Sequence, residues 1–365
     1  MTPSPRTSTL LAAATALALG LSSLAHAQQA PTVATPAATA TALPEGVLRR
    51  DLARGVYEAR YSQAANALFV ASSEAAPDTK GGVIYRLDPL TLETRGQTHT
   101  DLRNFAIATD AKGETLYVTN SVERGLTAID AVSGEVKGRL RFEDKASDGT
   151  YYGPRQVILD EASGTLYVGG VGAPGLIWVV DAATLTLRAT IGDAGKWVTG
   201  LLLDPAAGRL YAANGDGEVL VIDTTTHAIQ HRWTPGDGKE YLLLNLAHDP
   251  ATQRLFVTDH SKGATVLVFD TRTGKVERSL PVGDSMGIKL HPERKALYVT
   301  HRDQGTVTEL DADSYAVRRT WTLPPNPNSL ELAPDGKALY VTVKAPFNKD
   351  YTASALESVV RIPLE

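Results

Sequence analysis

Cysteine is absent from all 365 residues. That excludes disulfides, a c-type haem attachment motif, thiolate metal sites and a lipidated cysteine near the amino terminus. Beyond the first 27 residues no apolar run approaches the roughly 20 residues of a membrane helix, so no membrane span is expected. A strong charge of either sign is missing too. The formal net charge of −5 gives no general pull toward nucleic acid or anionic lipid, and such a partner would need a local patch.

Chemistry-bearing constellations are equally sparse. The glycines Gly169, Gly170 and Gly172 lie between strand-like runs and lack the following helix of a phosphate cradle. Asn214-Gly-Asp-Gly-Glu218 is too short for a calcium loop and reads as a hairpin turn. His260 and His301 occupy equivalent loops of successive repeats, but two imidazoles without a placed carboxylate make a poor metal site. No nucleophile, base and orienting acid can be assembled, so neither cofactor nor metal is expected.

The first 27 residues run from Arg6 through an apolar stretch, Leu10 to about Leu24, to Ala25-His26-Ala27. That is the order of a secretory signal. Export is expected, with a periplasmic, soluble and monomeric mature chain starting near Gln28. Residues 28–45 are Ala, Thr and Pro with almost no charge, and read as a flexible linker. Residues 46–365 remain for one domain.

What the chain does have is a repeat. Leu-Tyr-Val or a close variant begins at Leu68, Leu116, Leu166, Leu210, Leu255, Leu297 and Leu339, in steps of 48, 50, 44, 45, 42 and 42 residues. A period of about 40 to 50 residues marks a propeller, whose blades bury their faces only against each other. The fourth copy is the cleanest. Its four strand-like runs, 199–204, 209–214, 218–223 and 228–233, are divided by turn formers and predict a four-stranded antiparallel meander. The third run, Val219-Leu220-Val221-Ile222, is apolar on both faces, as expected of a strand covered by a blade on each side.

Six third runs end in Asp: Asp88, Asp130, Asp181, Asp223, Asp270 and Asp311. Each precedes a turn, and a carboxylate there accepts N–H bonds from its own turn, with Gly taking positive φ. The last repeat lacks a fourth run, whereas residues 47–52 form a strand-like segment that belongs to no repeat. An all-β, seven-bladed β-propeller is expected, closed by that amino-terminal strand in the last blade.

In such a ring the loops between strands two and three share a rim with the starts of strands one, around the central channel. That rim carries Arg103, Asn120, Arg124, Arg155, Lys196, Lys262, His301, Arg302, Asn328 and Lys344, with Tyr151, Tyr152, Trp197 and Tyr241 among them. Cations beside aromatic plates suit an anionic ligand with flat rings, such as single-stranded nucleic acid. Asp101, Asp148, Asp193, Asp259, Asp284 and Asp303 stand in the same loops and could neutralise the patch. Phe347, Lys349 and Tyr351 are contact candidates in the long last loop.

The copy Leu116-Tyr-Val-Thr-Asn120 resembles the Tyr-Val-Thr-Asn repeat family of propellers. With Gly81–Pro89, Ala128–Ala131, Gly134–Leu140, Thr300-His-Arg302, Pro327-Asn-Ser329, Asp335-Gly-Lys337 and Leu339-Tyr-Val341, the chain is similar to the YncE-like exported propellers of Gram-negative bacteria over nearly all of 46–365. The resemblance implies a periplasmic protein without established catalysis, and single-stranded DNA as ligand. Pro154-Arg155, Lys196, Thr300-His-Arg302, Asn328 and Lys344 match the family's rim, whereas Trp197 and Tyr151-Tyr152 depart from it. The alternatives are a protein-interaction scaffold on the same rim or a propeller enzyme, a quinone-dependent dehydrogenase or a lactonase.

Overall fold

A computed structural model describes residues 43–74, 81–350 and 352–364. The chain divides into Met1–Ala40 and a compact body, Thr41–Glu365. The expected signal segment, nearly all of the expected linker and Tyr351 lie outside the described residues. Leu43, in the final part of the linker stretch, packs on the core.

The body is a ring of seven four-stranded antiparallel sheets, a seven-bladed β-propeller. Blades 1 to 7 start on the inner strands Val56–Ser62, Ile107–Thr109, Gly153–Asp160, Gly200–Asp204, Leu243–Asp249, Ile288–His291 and Asn326–Leu332, each of which neighbours the next around the channel. Blade 7 takes its outer strand from Leu48–Ala53, which pairs antiparallel with Glu357–Pro363. The amino-terminal segment therefore joins the two ends of the chain in one sheet, as its unassigned place ahead of the first repeat suggested.

Third strands are apolar on both faces because each face belongs to a different interface. Trp178 and Val180 point into the cluster shared with blade 2, and Ile177 and Val179 into the cluster shared with blade 4. In the next blade Leu220 and Ile222 face blade 3, and Val219 and Val221 face blade 5. Among the described residues the core is thus a set of blade-to-blade clusters around the ring. Fully burying one such aliphatic side chain contributes roughly 1.5–3 kcal/mol. Outer strands have one open edge, and charges such as Lys137, Arg139 and Arg141 blunt it against pairing with another chain.

The Thr of Tyr-Val-Thr joins neighbouring blades. In blades 2, 5, 6 and 7 the hydroxyls of Thr119, Thr258, Thr300 and Thr342 accept the backbone N–H of Ala106, Asn245, Gly287 and Ser329, in or just before their own inner strands. Each also donates to a carbonyl in or just before the inner strand of the next blade: Arg155 at 2.7 Å, Met286 at 3.0 Å, Asn328 at 2.8 Å and Tyr57 at 2.8 Å. All four threonines are fully buried, so each hydroxyl supplies a donor and an acceptor where water has no access. Between blades 4 and 5 the same service comes from Thr199, which donates to Leu243.

The six Asp residues close turns as expected. Oδ1 of Asp88 accepts N–H from Leu90 and Thr91, and the pattern repeats at Asp130, Asp181, Asp223, Asp270 and Asp311. The positive-φ residue four positions on is Gly only at Gly134 and Gly274; elsewhere it is Leu92, Leu185, His227 or Tyr315. The reason is packing across the blade interface. A Cβ on Gly274 would meet the Trp233 ring at 2.3 Å and one on Gly134 the Thr98 hydroxyl at 2.6 Å, whereas Leu92 and Leu185 fill core and His227 meets the edge of Tyr167.

Two outcomes are expected. Thr342→Val leaves the Ser329 N–H without its acceptor, while the Tyr57 carbonyl keeps Asn328 and Ser329 as donors, and should cost about 1–3 kcal/mol in urea denaturation. The turn N–H donors hold the six carboxyls below their ordinary value, Asp181 at about 2, with the Arg272 guanidinium the larger cause at Asp270, also about 2. A depressed folded value gives stability that is complete above the unfolded carboxylate range and lost as pH falls through the folded value. Denaturation midpoints should therefore drop between about pH 4 and pH 2, and Asp181→Asn should shrink that drop.

Candidate functional site at the channel mouth

At one end of the channel Tyr57, on the inner strand of blade 1, packs against Phe105 of blade 2 with ring centroids 4.4 Å apart. Cations cover this pair. Lys344 Nζ lies 3.8 Å from the Tyr57 centroid, and the Arg155 guanidinium lies 5.4 Å from Tyr57 and 5.8 Å from Phe105. Cation and ring attract through the ring quadrupole, which partly offsets the desolvation of the charge. Arg302 completes the group, its guanidinium donating to Asn328 Oδ1.

Partners of these charges differ. Lys344 is 2% exposed and donates to Glu357, 3.1 Å away, and to the Val56 carbonyl. Among the described residues neither Arg155 nor Arg302 has a carboxylate within 4 Å of its guanidinium. Asp284 beside Arg302 accepts from the backbone N–H of Arg302 and Asp303 instead. Among the described residues the buried donor Arg302 Nε has no partner. Burial and then the field of Arg155 push the Arg302 guanidinium down to about 10; burial pushes Lys344 down to about 8 despite Glu357. Both remain cationic at neutral pH.

The other rim residues make local contacts. Arg124 pairs with Glu143 and stacks on Tyr151, Lys196 lies over its neighbour Trp197, and Tyr241 donates to Asp237. Tyr152 is buried and edge-on to Trp178, in the core of blades 2 and 3. Asn120 is buried and takes the Thr127 hydroxyl while donating to Asn104. His301 is buried with Nδ1 on the Asp284 carbonyl. Lys262 is exposed, and the Arg103 backbone N–H is held by Glu123. Phe347 lies 5.5 Å from Lys344, so the long last loop reaches the mouth. Of the aspartates expected to neutralise the rim, Asp101 pairs with Arg139, Asp193 with Arg232, Asp148 accepts from Thr150 and Asp259 from Leu242 and Ser261, whereas Asp284 stands beside Arg302 and its field favours the charged guanidinium. Glutamates add to this, Glu357 at Lys344 and Glu143 at Arg124.

With this geometry the chain was compared with known proteins. It is 42% identical over 327 residues to the uncharacterized protein YncE of Salmonella typhimurium, covering 89% of this chain and 92% of that one. The Escherichia coli K12 protein of the same description is 43% identical over the same length. The chain belongs to the YncE family. No family model matches it. A chain of Kuenenia stuttgartiensis hydrazine synthase superposes with a TM-score of 0.67 at 18% identity, over 85% of this chain and 96% of that one, which shows the shared fold alone.

In this YncE-family chain the channel below the mouth is also charged. Glu331 of blade 7 sits between Arg60 of blade 1 at 3.1 Å and Lys289 of blade 6 at 3.0 Å. Burial alone would raise its carboxyl, but Arg60 and Lys289 outweigh it and hold it low. Glu58, one turn of the pleat above Arg60, has its carboxyl raised by burial against the pull of Arg155 and Arg60. Tyr57, Glu58 and Glu331 escaped the rim-based reading. The available signal was a charge at alternate positions of otherwise apolar inner strands, which marks a lumen-facing residue.

Lys344 loses its proton above about pH 8, which removes one positive charge from the mouth before the Arg302 guanidinium, at about 10, gives up its own. Sulfate, a dianion throughout, should therefore bind severalfold more weakly at pH 9 than at pH 7 by calorimetry. Equal affinity at the two pH values would show that Lys344 does not face the anion.

Proposed function

We propose that the chain is an exported, periplasmic, non-enzymatic binding scaffold whose channel mouth receives an anionic ligand, single-stranded DNA being one ligand of suitable charge. One observation carries this reading: among the described residues two guanidiniums from different blades have no carboxylate within 4 Å, Arg155 over a buried aromatic pair and Arg302 buried in the field of Arg155. Unpaired like charges at low dielectric are unfavourable. A fold that keeps them has a use for them at the expense of stability, and a bound anion relieves the repulsion. The membership in the YncE family and the propeller scaffold are consistent with binding, and nothing in the reading requires a catalytic group.

The experiment is paired stability and binding. Arg155→Gln and Arg302→Gln should each raise the melting temperature by roughly 2 °C or more in anion-free buffer, while losing affinity for an oligodeoxynucleotide and lowering the dependence of that affinity on salt. Variants that melt lower and bind unchanged would show that the guanidiniums serve structure only.

A further inference from the structure

The placement of the three cations constrains how an anion would be held. Arg155 belongs to blade 3 and Arg302 to the loop of blade 6, across the ring from each other, and Lys344 ends the second strand of blade 7. Arg302 feels the field of Arg155, and Lys344 the fields of both. A group that meets all three therefore lies on the channel axis. Binding a nucleic-acid strand sideways over the rim requires something else, a track of free cations with open aromatic plates. That track is missing at the mouth: Tyr57 and Phe105 are 8% and 3% exposed beneath Arg155 and Lys344. Further out, Arg124 is held by Glu143 and Tyr151, and Lys196 by Trp197.

Donors narrow the ligand. Glu357 matches Lys344, and Asp284 and Glu58 lie in the fields of Arg302 and Arg155, so the ligand is selected by the donors of the two guanidiniums rather than by net charge. Guanidinium N–H groups suit tetrahedral oxyanions through paired hydrogen bonds, and among the described residues the buried donor Arg302 Nε has no acceptor. Resting on the anion-scaffold reading, we infer that the mouth binds a terminal phosphate monoester end-on along the channel axis, with Arg155 and Arg302 clasping it from opposite sides and Lys344 beneath. The monoester is either the phosphorylated end of an oligonucleotide or a small phosphorylated molecule, since the clasp meets only the phosphate.

The test uses the protein and four probes: a linear oligothymidylate with a 5′-phosphate, the same strand with hydroxyl ends, the same strand circularised, and glycerol 3-phosphate. The phosphorylated linear strand should bind at least about tenfold more tightly than the circle, and Arg155→Gln and Arg302→Gln should each erase that preference. Glycerol 3-phosphate should compete with it. Binding of glycerol 3-phosphate without measurable binding of any strand would support the clasp and identify small monoesters as its source. A circle that binds as well as the phosphorylated strand would overturn end-on capture while leaving an anion site intact. If none of the four binds, the anion scaffold itself is wrong.

Discussion

The buried hydroxyl of the threonine in Tyr-Val-Thr is the contact on which the rest of this structure depends. A propeller has no core common to all blades, only interfaces between successive ones, so something must set the register of each blade against the next. Thr119, Thr300 and Thr342 do so by binding the carbonyls of Arg155, Asn328 and Tyr57. Those three residues also build the channel mouth. The same hydrogen bond therefore closes the ring and fixes the backbone from which the mouth residues project. A site that holds like charges together needs such a rigid frame, because the repulsion would otherwise be relaxed by movement of the strands.

Charge is distributed in the ring by two different rules. At the outer turns each repeated Asp is matched by its own N–H donors, and in several blades by a cation seven residues on, as with Arg95, Arg188 and Arg318. These charges satisfy local geometry and repeat with the blades. At the mouth the cations come from blades with different sequences, Lys344 paired with a carboxylate and, among the described residues, the two guanidiniums not. Function is read from that departure, because a propeller by itself is a scaffold for many uses. The lower cluster of Arg60, Lys289 and Glu331 obeys the first rule although it lines the channel, since its carboxylate is matched from both sides.

The sequence was most legible where the structure repeats. Blade number, the double-sided third strands and the turn role of Asp all follow from spacing and pattern, because repetition supplies the same evidence several times. The strand at Leu48–Ala53 was legible as a surplus, a segment with no repeat to join. The site was only partly so. Arg155, Arg302, Asn328 and Lys344 stand in rim loops by sequence position, but membership of a loop does not reveal which side chains approach one another. Tyr152 and Asn120 have the residue types of a ligand site and the burial of a core, a distinction made by side-chain direction rather than by position in a loop. Conversely Tyr57 looked like one more apolar strand residue, and only the third dimension brings Lys344, some 290 residues distant in sequence, over its ring.

The central claim is that the guanidiniums of Arg155 and Arg302 are held apart from carboxylates in order to meet an anion on the channel axis. Anomalous diffraction from crystals of the protein grown with selenate tests it most directly. The account requires a selenium peak between the two guanidiniums, with oxygen atoms within about 3 Å of their nitrogens. A mouth without selenium while selenate occupies other surface positions, or guanidiniums turned onto carboxylates, would contradict it.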